Sequence, residues 1–118
     1  MRIFSPRGHG YLDYLVVIGF LSAPEVLQLD DRPAMISYIL SAVHLVLTVA
    51  TNFPLGFARV IPFAIHAMIE FGVSIVLFAM PWLLGIADDA RARGFFIGAG
   101  ASVLVVFLIT DYTRARKS

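Results

Sequence analysis

The stretch that decides the fold is residues 61–87, IPFAIHAMIEFGVSIVLFAMPWLLGIA, which contains one acidic residue and no lysine or arginine. A helix needs about 20 residues, at ~1.5 Å each, to cross a hydrocarbon core of ~30 Å. This stretch is long enough, and it lacks the alternation of apolar and polar residues that is typical of a membrane β-barrel strand. It therefore predicts a transmembrane helix.

Composition extends this interpretation to the whole chain of 118 residues. Hydrophobic residues make up 59% and charged residues 14%, against roughly 45–50% and 25% in soluble domains; the mean hydropathy is +0.86. Such a surplus excludes a soluble enzyme, a disordered chain and a disulfide-stapled secreted module. The net charge of +1 argues against a nucleic-acid partner. The lack of cysteine excludes thiolate metal sites.

Three further apolar stretches, residues 11–29, 34–51 and 94–110, are each closed by charge or proline. The second and the last are short for a full crossing and need flanking residues or local bilayer thinning. The sequence thus predicts an all-α membrane protein with four transmembrane helices in a single domain over residues 1–118, with the lipid bilayer as its first partner.

Basic residues indicate the orientation of these helices. One predicted side carries six of them, Arg2, Arg7, Arg59, Arg114, Arg116 and Lys117. The other side carries three, Arg32, Arg91 and Arg93. Because cytoplasmic loops carry the excess of lysine and arginine, both termini are expected in the cytoplasm.

The second half of the chain repeats the first at an offset of 57 residues, with two residues inserted in the second outer loop. The matches include Asp13 with Glu70, Pro24 with Pro81, Leu27 with Leu84 and, after the insertion, Thr51 with Thr110. Each copy is a predicted helical hairpin, about 11–53 and about 66–112. Two hairpins in tandem predict a four-helix bundle with a pseudo-two-fold axis along the membrane normal.

A family resemblance follows from the proline segments of the two copies. Met80-Pro81-Trp82, and in the first copy Ala23-Pro24-Glu25, resemble the Ser-Pro-Trp signature of the SPW-repeat membrane proteins. The resemblance covers residues 13–112. It implies a short bacterial inner-membrane protein built of two hairpins, and it implies no particular activity.

Small and hydroxylic residues form candidate packing stripes on the second and fourth helices. Ser37, Ser41, His44, Thr48 and Thr51 recur at spacings of four and three. Applying the offset of 57 to the fourth helix gives Gly94 and Gly98, which are expected to allow close helix contact within the bundle or between subunits.

Ionisable residues within the apolar stretches are functional hypotheses by default. His66 and Glu70 share a helix face, and His44 on the preceding antiparallel helix lies at a comparable depth. A cluster of these three side chains in the cytoplasmic half is therefore predicted. Asp13 is interpreted as a first-turn acid at the interface. Glu25 is interpreted as a residue that reaches the outer interface or pairs with Arg32, with a role in proton transfer or ligand binding, like that of Glu70, as the alternative.

Four interpretations of this cluster stay open at this point. They are interhelical packing, a haem b held by His44 and His66, a proton path through Glu70, and a quinone or lipid contact. No metal-ligand spacing or nucleophile–base pattern occurs along the chain, so neither a metal centre nor an enzyme is expected. The leading hypothesis is a non-enzymatic accessory or assembly subunit, or a homo-oligomer; the alternative is a small transporter or a redox, quinone or haem anchor.

Overall fold

The computed structural model describes residues 5–52, 56–58 and 60–110. It contains four helices, α1 (Pro6–Val26), α2 (Asp31–Ala50), α3 (Phe63–Leu83) and α4 (Ala90–Ile109). Two residues at the end of α2, β1 (Thr51–Asn52), pair in parallel with two residues before α3, β2 (Ile61–Pro62). The prediction of an all-helical fold with four helices is confirmed.

Three of the helices, α2, α3 and α4, are long and apolar enough to cross a membrane. Large apolar side chains on their surfaces are exposed, as are several on α1. The expectation of a membrane protein is confirmed to this extent. Helix α1 does not reach the same hydropathy, since it includes the polar side chains of His9, Asp13 and Glu25.

Helices α1 and α2 form an antiparallel hairpin joined by side-chain hydrogen bonds to the backbone. The Ser37 hydroxyl donates to the Phe20 carbonyl at 2.6 Å, and the Ser41 hydroxyl donates to the Val17 carbonyl at 2.8 Å. Pro24 lacks the N–H that would otherwise bond the Phe20 carbonyl four residues earlier. Ser37 therefore satisfies a buried acceptor that the proline has left open.

Helices α3 and α4 form the second hairpin, and their backbones approach each other closely at Gly100. A Cβ at Gly100 would lie 3.0 Å from the Ser74 carbonyl oxygen and 3.3 Å from the Leu77 Cβ. Gly94 and Gly98 are exposed, and a Cβ at either would meet no atom within 4 Å. Neither glycine therefore makes the first of the two predicted contacts, close packing within the bundle; the second, contact between subunits, stays a prediction. The two inserted residues change the offset to 59 on this helix, which brings Ser41 onto Gly100.

The boundaries of the four described helices follow these two offsets. Helices α1 and α3 each have 21 residues and begin 57 positions apart. Helices α2 and α4 each have 20 residues and begin 59 positions apart. The turns that follow α1 and α3 also correspond, because Gln28 has φ +52° and its equivalent Gly85 has φ +68°.

The two hairpins meet in an apolar core and at both ends of the bundle. Phe20 of α1 packs edge-on against Phe95 of α4, with ring centroids 6.0 Å apart. At the end of the bundle that holds the α1–α2 and α3–α4 turns, the Arg32 guanidinium donates to the Leu84 carbonyl at 2.7 Å. At the opposite end, where residues 5 and 110 both lie, the contact between the hairpins is made by buried polar side chains.

Candidate functional site

A buried cluster of ionisable side chains lies at the end of the bundle where the two described chain ends meet. We call it the polar centre; its members are His9, Asp13, His44, His66 and Glu70. His9 and His66 are fully buried, Asp13 is 1% exposed, Glu70 2% and His44 7%. Helices α1 and α3 supply two members each, and α2 supplies His44.

The local sequence places the first two pairs in the same way. His9 and Asp13 are the fourth and eighth residues of α1, and His66 and Glu70 are the fourth and eighth residues of α3. Residues four apart lie on the same helix face. At ~1.5 Å per residue, the two acidic residues lie about 10 Å from the first residues of their helices, well inside the bundle.

Each imidazole contacts both carboxylates of the polar centre through Nε2. His9 Nε2 lies 3.1 Å from Asp13 Oδ2 and 3.1 Å from Glu70 Oε2. His66 Nε2 lies 2.9 Å from Asp13 Oδ2 and 3.0 Å from Glu70 Oε1. The four side chains thus form a closed ring, in which each carboxylate links an imidazole of its own hairpin with one of the other.

The second nitrogen of His9 is held by a threonine on α4's C-terminal side. His9 Nδ1 lies 2.8 Å from Thr110 Oγ1, and that hydroxyl donates to the Val106 carbonyl at 2.6 Å. A hydroxyl has one proton to donate. Because the carbonyl receives it, Thr110 Oγ1 accepts from His9, and the Nδ1 atom carries the hydrogen.

His66 has the equivalent arrangement with Thr51. His66 Nδ1 lies 2.7 Å from Thr51 Oγ1, which donates to the Leu47 carbonyl at 2.5 Å. The β1–β2 pair holds Thr51 beside the start of α3. When these two imidazoles are neutral, the nitrogen without a hydrogen is therefore Nε2, the atom that faces the carboxylates.

His44 adds a third imidazole that the repeat does not duplicate. Its Nε2 lies 3.4 Å from Asp13 Oδ1 and 3.9 Å from Glu70 Oε1. The equivalent position on α4 is Val103, a buried apolar residue. The polar centre thus consists of a two-fold set of four side chains, His9, Asp13, His66 and Glu70, and one additional imidazole on α2, that of His44.

Two buried atoms of the polar centre make no hydrogen bond within the part of the chain that the structure describes. They are Asp13 Oδ2 and His44 Nε2. Ionised carboxylate oxygens and the Nε2 atoms of neutral imidazoles only accept hydrogen bonds. Acceptors that face one another at about 3 Å need a proton or a metal cation between them.

The structure brings together the predicted cluster of His44, His66 and Glu70. Thr48 is buried and donates to the His44 carbonyl on its own helix at 2.7 Å. Glu25 is exposed on the last turn of α1, far from the polar centre.

The interpretation of Asp13 as a first-turn acid at the interface is wrong, because Asp13 is the eighth residue of α1 and is buried. Sequence reasoning also missed His9. The signal was available: at the offset of 57, His9 matches His66, so that His9-xxx-Asp13 repeats as His66-xxx-Glu70. Metal-ligand spacing along a single helix does not reveal this set, because α1 and α3 each supply two of its four side chains.

The residues do not fit a haem held by His44 and His66. Axial histidines approach a haem iron from opposite faces of a wide macrocycle. Here both Nε2 atoms converge on Asp13, at 3.4 and 2.9 Å, and the carboxylate fills the space between them.

Comparison of the chain with protein-family models, curated proteins and solved structures gives no match. The resemblance to SPW-repeat proteins stays a prediction, and the functional argument depends on the geometry of the polar centre.

Proposed function

We propose that this protein is a four-pass membrane protein whose polar centre binds a cation between its two hairpins. The observation that supports this most directly is the ring of acceptors: two imidazole Nε2 atoms face two carboxylates at 2.9–3.1 Å. Both Nδ1 hydrogens are already donated to threonine oxygens. A bound cation satisfies all four acceptors at once.

The energetic cost of the polar centre favours binding over packing alone. Each charged side chain in the middle of a membrane helix costs about 2.5–3.5 kcal/mol on insertion scales. Ser37 and Ser41 join α1 to α2 with neutral hydrogen bonds. Such bonds provide interhelical contact without the cost of placing a charged side chain in the membrane. Two buried carboxylates with three imidazoles are an expensive way to pack helices, and a bound cation offsets the desolvation of the acids.

The four-pass arrangement is supported by the outer surface of α1. Its 21 residues span about 31 Å, and Leu15, Ile18 and Leu21 are all more than half exposed. Such a face is compatible with lipid. With the excess of basic residues on the side of the termini, we place both termini and the polar centre toward the cytoplasm, and the protein in the inner membrane of a bacterium.

A second candidate function is an accessory subunit of a larger membrane complex, or a homo-oligomer. One observation favours it: an open apolar groove of about 380 Å³ lies between α1 and α4, lined in part by Gly19, Gly94, Gly98 and Ser102. Small residues on a lipid-facing surface allow close helix contact. This role is compatible with cation binding, and the expectation that the chain is not an enzyme applies to both proposals. A quinone contact remains a further hypothesis for the same centre.

The cation proposal is tested by the thermal stability of the full chain in mild detergent. A ligand that binds only the folded state raises Tm with its concentration. We expect the wild-type Tm to depend on the supply of protons or divalent ions, and the double variant Asp13→Asn/Glu70→Gln to lose that dependence. Glu25→Gln, which neutralises an exposed acid, is the matched control. A wild-type Tm that responds to neither cation, or responds as strongly in the double variant, contradicts the proposal.

A further inference from the structure

We propose that the bound cation is one divalent transition-metal ion. This inference rests on the proposed function, because it names the cation that the polar centre takes. Its ligands are the four side chains of the two-fold set, His9, Asp13, His66 and Glu70, through Nε2 of each histidine and one oxygen of each carboxylate.

The spacing of the donor atoms is that of a metal coordination shell. One ligand atom from each of these four residues lies within 4.8 Å of all the others. With Oδ2 of Asp13 and Oε1 of Glu70 as the carboxylate donors, neighbouring donors around the ring are separated by 2.9–3.2 Å. Two donors that each lie 2.0–2.2 Å from a zinc ion, at roughly 90–110° to one another, are about 2.8–3.6 Å apart. One ion at the centre of the ring can reach all four.

The hydrogen bonds behind the histidines point to the same conclusion. Metal-binding histidines usually donate the ring N–H that does not face the metal to a fixed acceptor, which sets the tautomer and the ring orientation. Thr110 and Thr51 are such acceptors for His9 and His66, at 2.8 and 2.7 Å. Their own hydroxyl protons are held by backbone carbonyls, so each threonine is fixed as an acceptor.

An independent observation comes from the two atoms without hydrogen bonds. Asp13 Oδ2 is buried, lies within 3.1 Å of both histidine Nε2 atoms, and makes no hydrogen bond with the described residues. A metal ion bonded to this oxygen and to both Nε2 atoms accounts for this approach, as protons on the imidazoles also would. His44 Nε2, buried and also without a hydrogen bond, points at the same carboxylate and is available as a fifth donor.

Charge and donor type define the class of metal. Two carboxylates and two neutral imidazoles carry two negative charges, which a divalent ion balances; a neutral site suits burial in a membrane protein. Mg²⁺ and Ca²⁺ prefer sites made of oxygen donors, whereas mixed imidazole and carboxylate sets suit Zn²⁺, Fe²⁺ and Mn²⁺. The chain has no cysteine, so a thiolate site for Cu⁺ is excluded.

Cobalt binding tests this inference on the full chain in mild detergent. The protein is stripped with a chelator, loaded with Co²⁺ and desalted, and cobalt per chain is measured by mass spectrometry together with visible absorption. We expect about one Co²⁺ per chain from the one set of such ligands among the described residues, ligand-field bands of bound cobalt, and displacement by Zn²⁺. His9→Gln/His66→Gln should lose at least about 100-fold in affinity, more than the loss of a supporting hydrogen bond causes.

A second variant, Thr51→Val, keeps every metal-donor atom and tests the proposal even if His9→Gln/His66→Gln fails to fold. Because it removes the hydrogen-bond acceptor of His66 Nδ1, it should weaken Co²⁺ binding about 10–100-fold. Glu25→Gln should bind as the wild type does. Wild-type protein without bound cobalt, or equal binding by His9→Gln/His66→Gln, overturns the metal assignment. If Tm then still depends on protons through Asp13 and Glu70, cation binding stands and only its metal identity fails; if Tm depends on no cation, both proposals fail.

Discussion

His9 and His66 face each other across the two hairpins with ring centroids 5.4 Å apart and their planes 77° apart. They occupy equivalent positions of the repeat, and each holds its own carboxylate four residues further along its helix. Each also contacts the carboxylate of the opposite hairpin. The ring therefore needs both hairpins, because one hairpin alone supplies only half of its side chains.

The third imidazole should contribute less to cation binding than the ring does. His44 Nε2 lies 3.4 Å or more from the nearest carboxylate oxygens, whereas His66 Nε2 lies 2.9 and 3.0 Å from them. We expect His44→Gln to weaken Co²⁺ binding by about tenfold or less, and His66→Gln to weaken it by about 100-fold or more. Titration by visible absorption measures both. Equal losses would show that His44 belongs to the primary ligand set.

Removal of the Ser37 hydroxyl should destabilise the first hairpin. Ser37→Ala leaves the Phe20 carbonyl, which Pro24 has deprived of its helical donor, without a partner. We expect a loss of about 1–2 kcal/mol in the free energy of unfolding, measured by denaturation in mixed micelles. Ser22→Ala is the control, since the exposed Ser22 hydroxyl bonds only carbonyls of its own helix. Similar stabilities for the two variants would mean that Ser37 does not satisfy that carbonyl.

A methyl group at Gly100 should separate α3 from α4. The added Cβ would lie 3.0 Å from the Ser74 backbone oxygen, which cannot move without moving α3. We expect Gly100→Ala to lower the free energy of unfolding by about 1–3 kcal/mol. Gly98→Ala, two positions away in open space, should leave the monomer unchanged or slightly more stable. If Gly98→Ala instead disrupts an oligomer, seen as a smaller species in native electrophoresis, the subunit hypothesis for the α1–α4 groove gains its first support.

The turn after α3 depends on the conformation of Gly85. With φ +68° this residue terminates the helix in the left-handed region, where a side chain costs roughly 1–2 kcal/mol. Gly85→Ala should therefore lower Tm. Gly72→Ala, within α3 and with no atom near its Cβ, should raise or preserve Tm because alanine favours the helix. An unchanged Tm for Gly85→Ala would indicate that the turn adopts another conformation.

The helical fold and much of the cluster could be predicted from local sequence. Residues 61–87 contain α3, and the pair His66 and Glu70 follows from helical periodicity. Asp13 could not be interpreted correctly by its position near the chain start, because α1 begins at Pro6 and carries the acid two turns into the bundle. The burial of His9 depends on contacts with residues 61 and 101 positions away, which composition and spacing on one helix do not encode.

The packing residues of α4 also could not be predicted from the spacing of small residues alone. The offset of 57 does not identify the glycine that packs against α3, because an insertion of two residues rotates the stripe by more than half a turn and brings Gly100 rather than Gly98 to that contact. The match of Thr51 with Thr110, which lies after the inserted residues, gives the offset of 59 that applies to α4.

Native mass spectrometry of protein extracted gently from its membrane tests the central claim most directly. The account predicts a wild-type chain that carries the mass of one divalent metal ion, and an Asp13→Asn/Glu70→Gln chain, prepared in parallel, that carries none. A wild-type chain that is bare under conditions that preserve lipid adducts, or a metal adduct retained equally by the double variant, would contradict a metal ion at the polar centre.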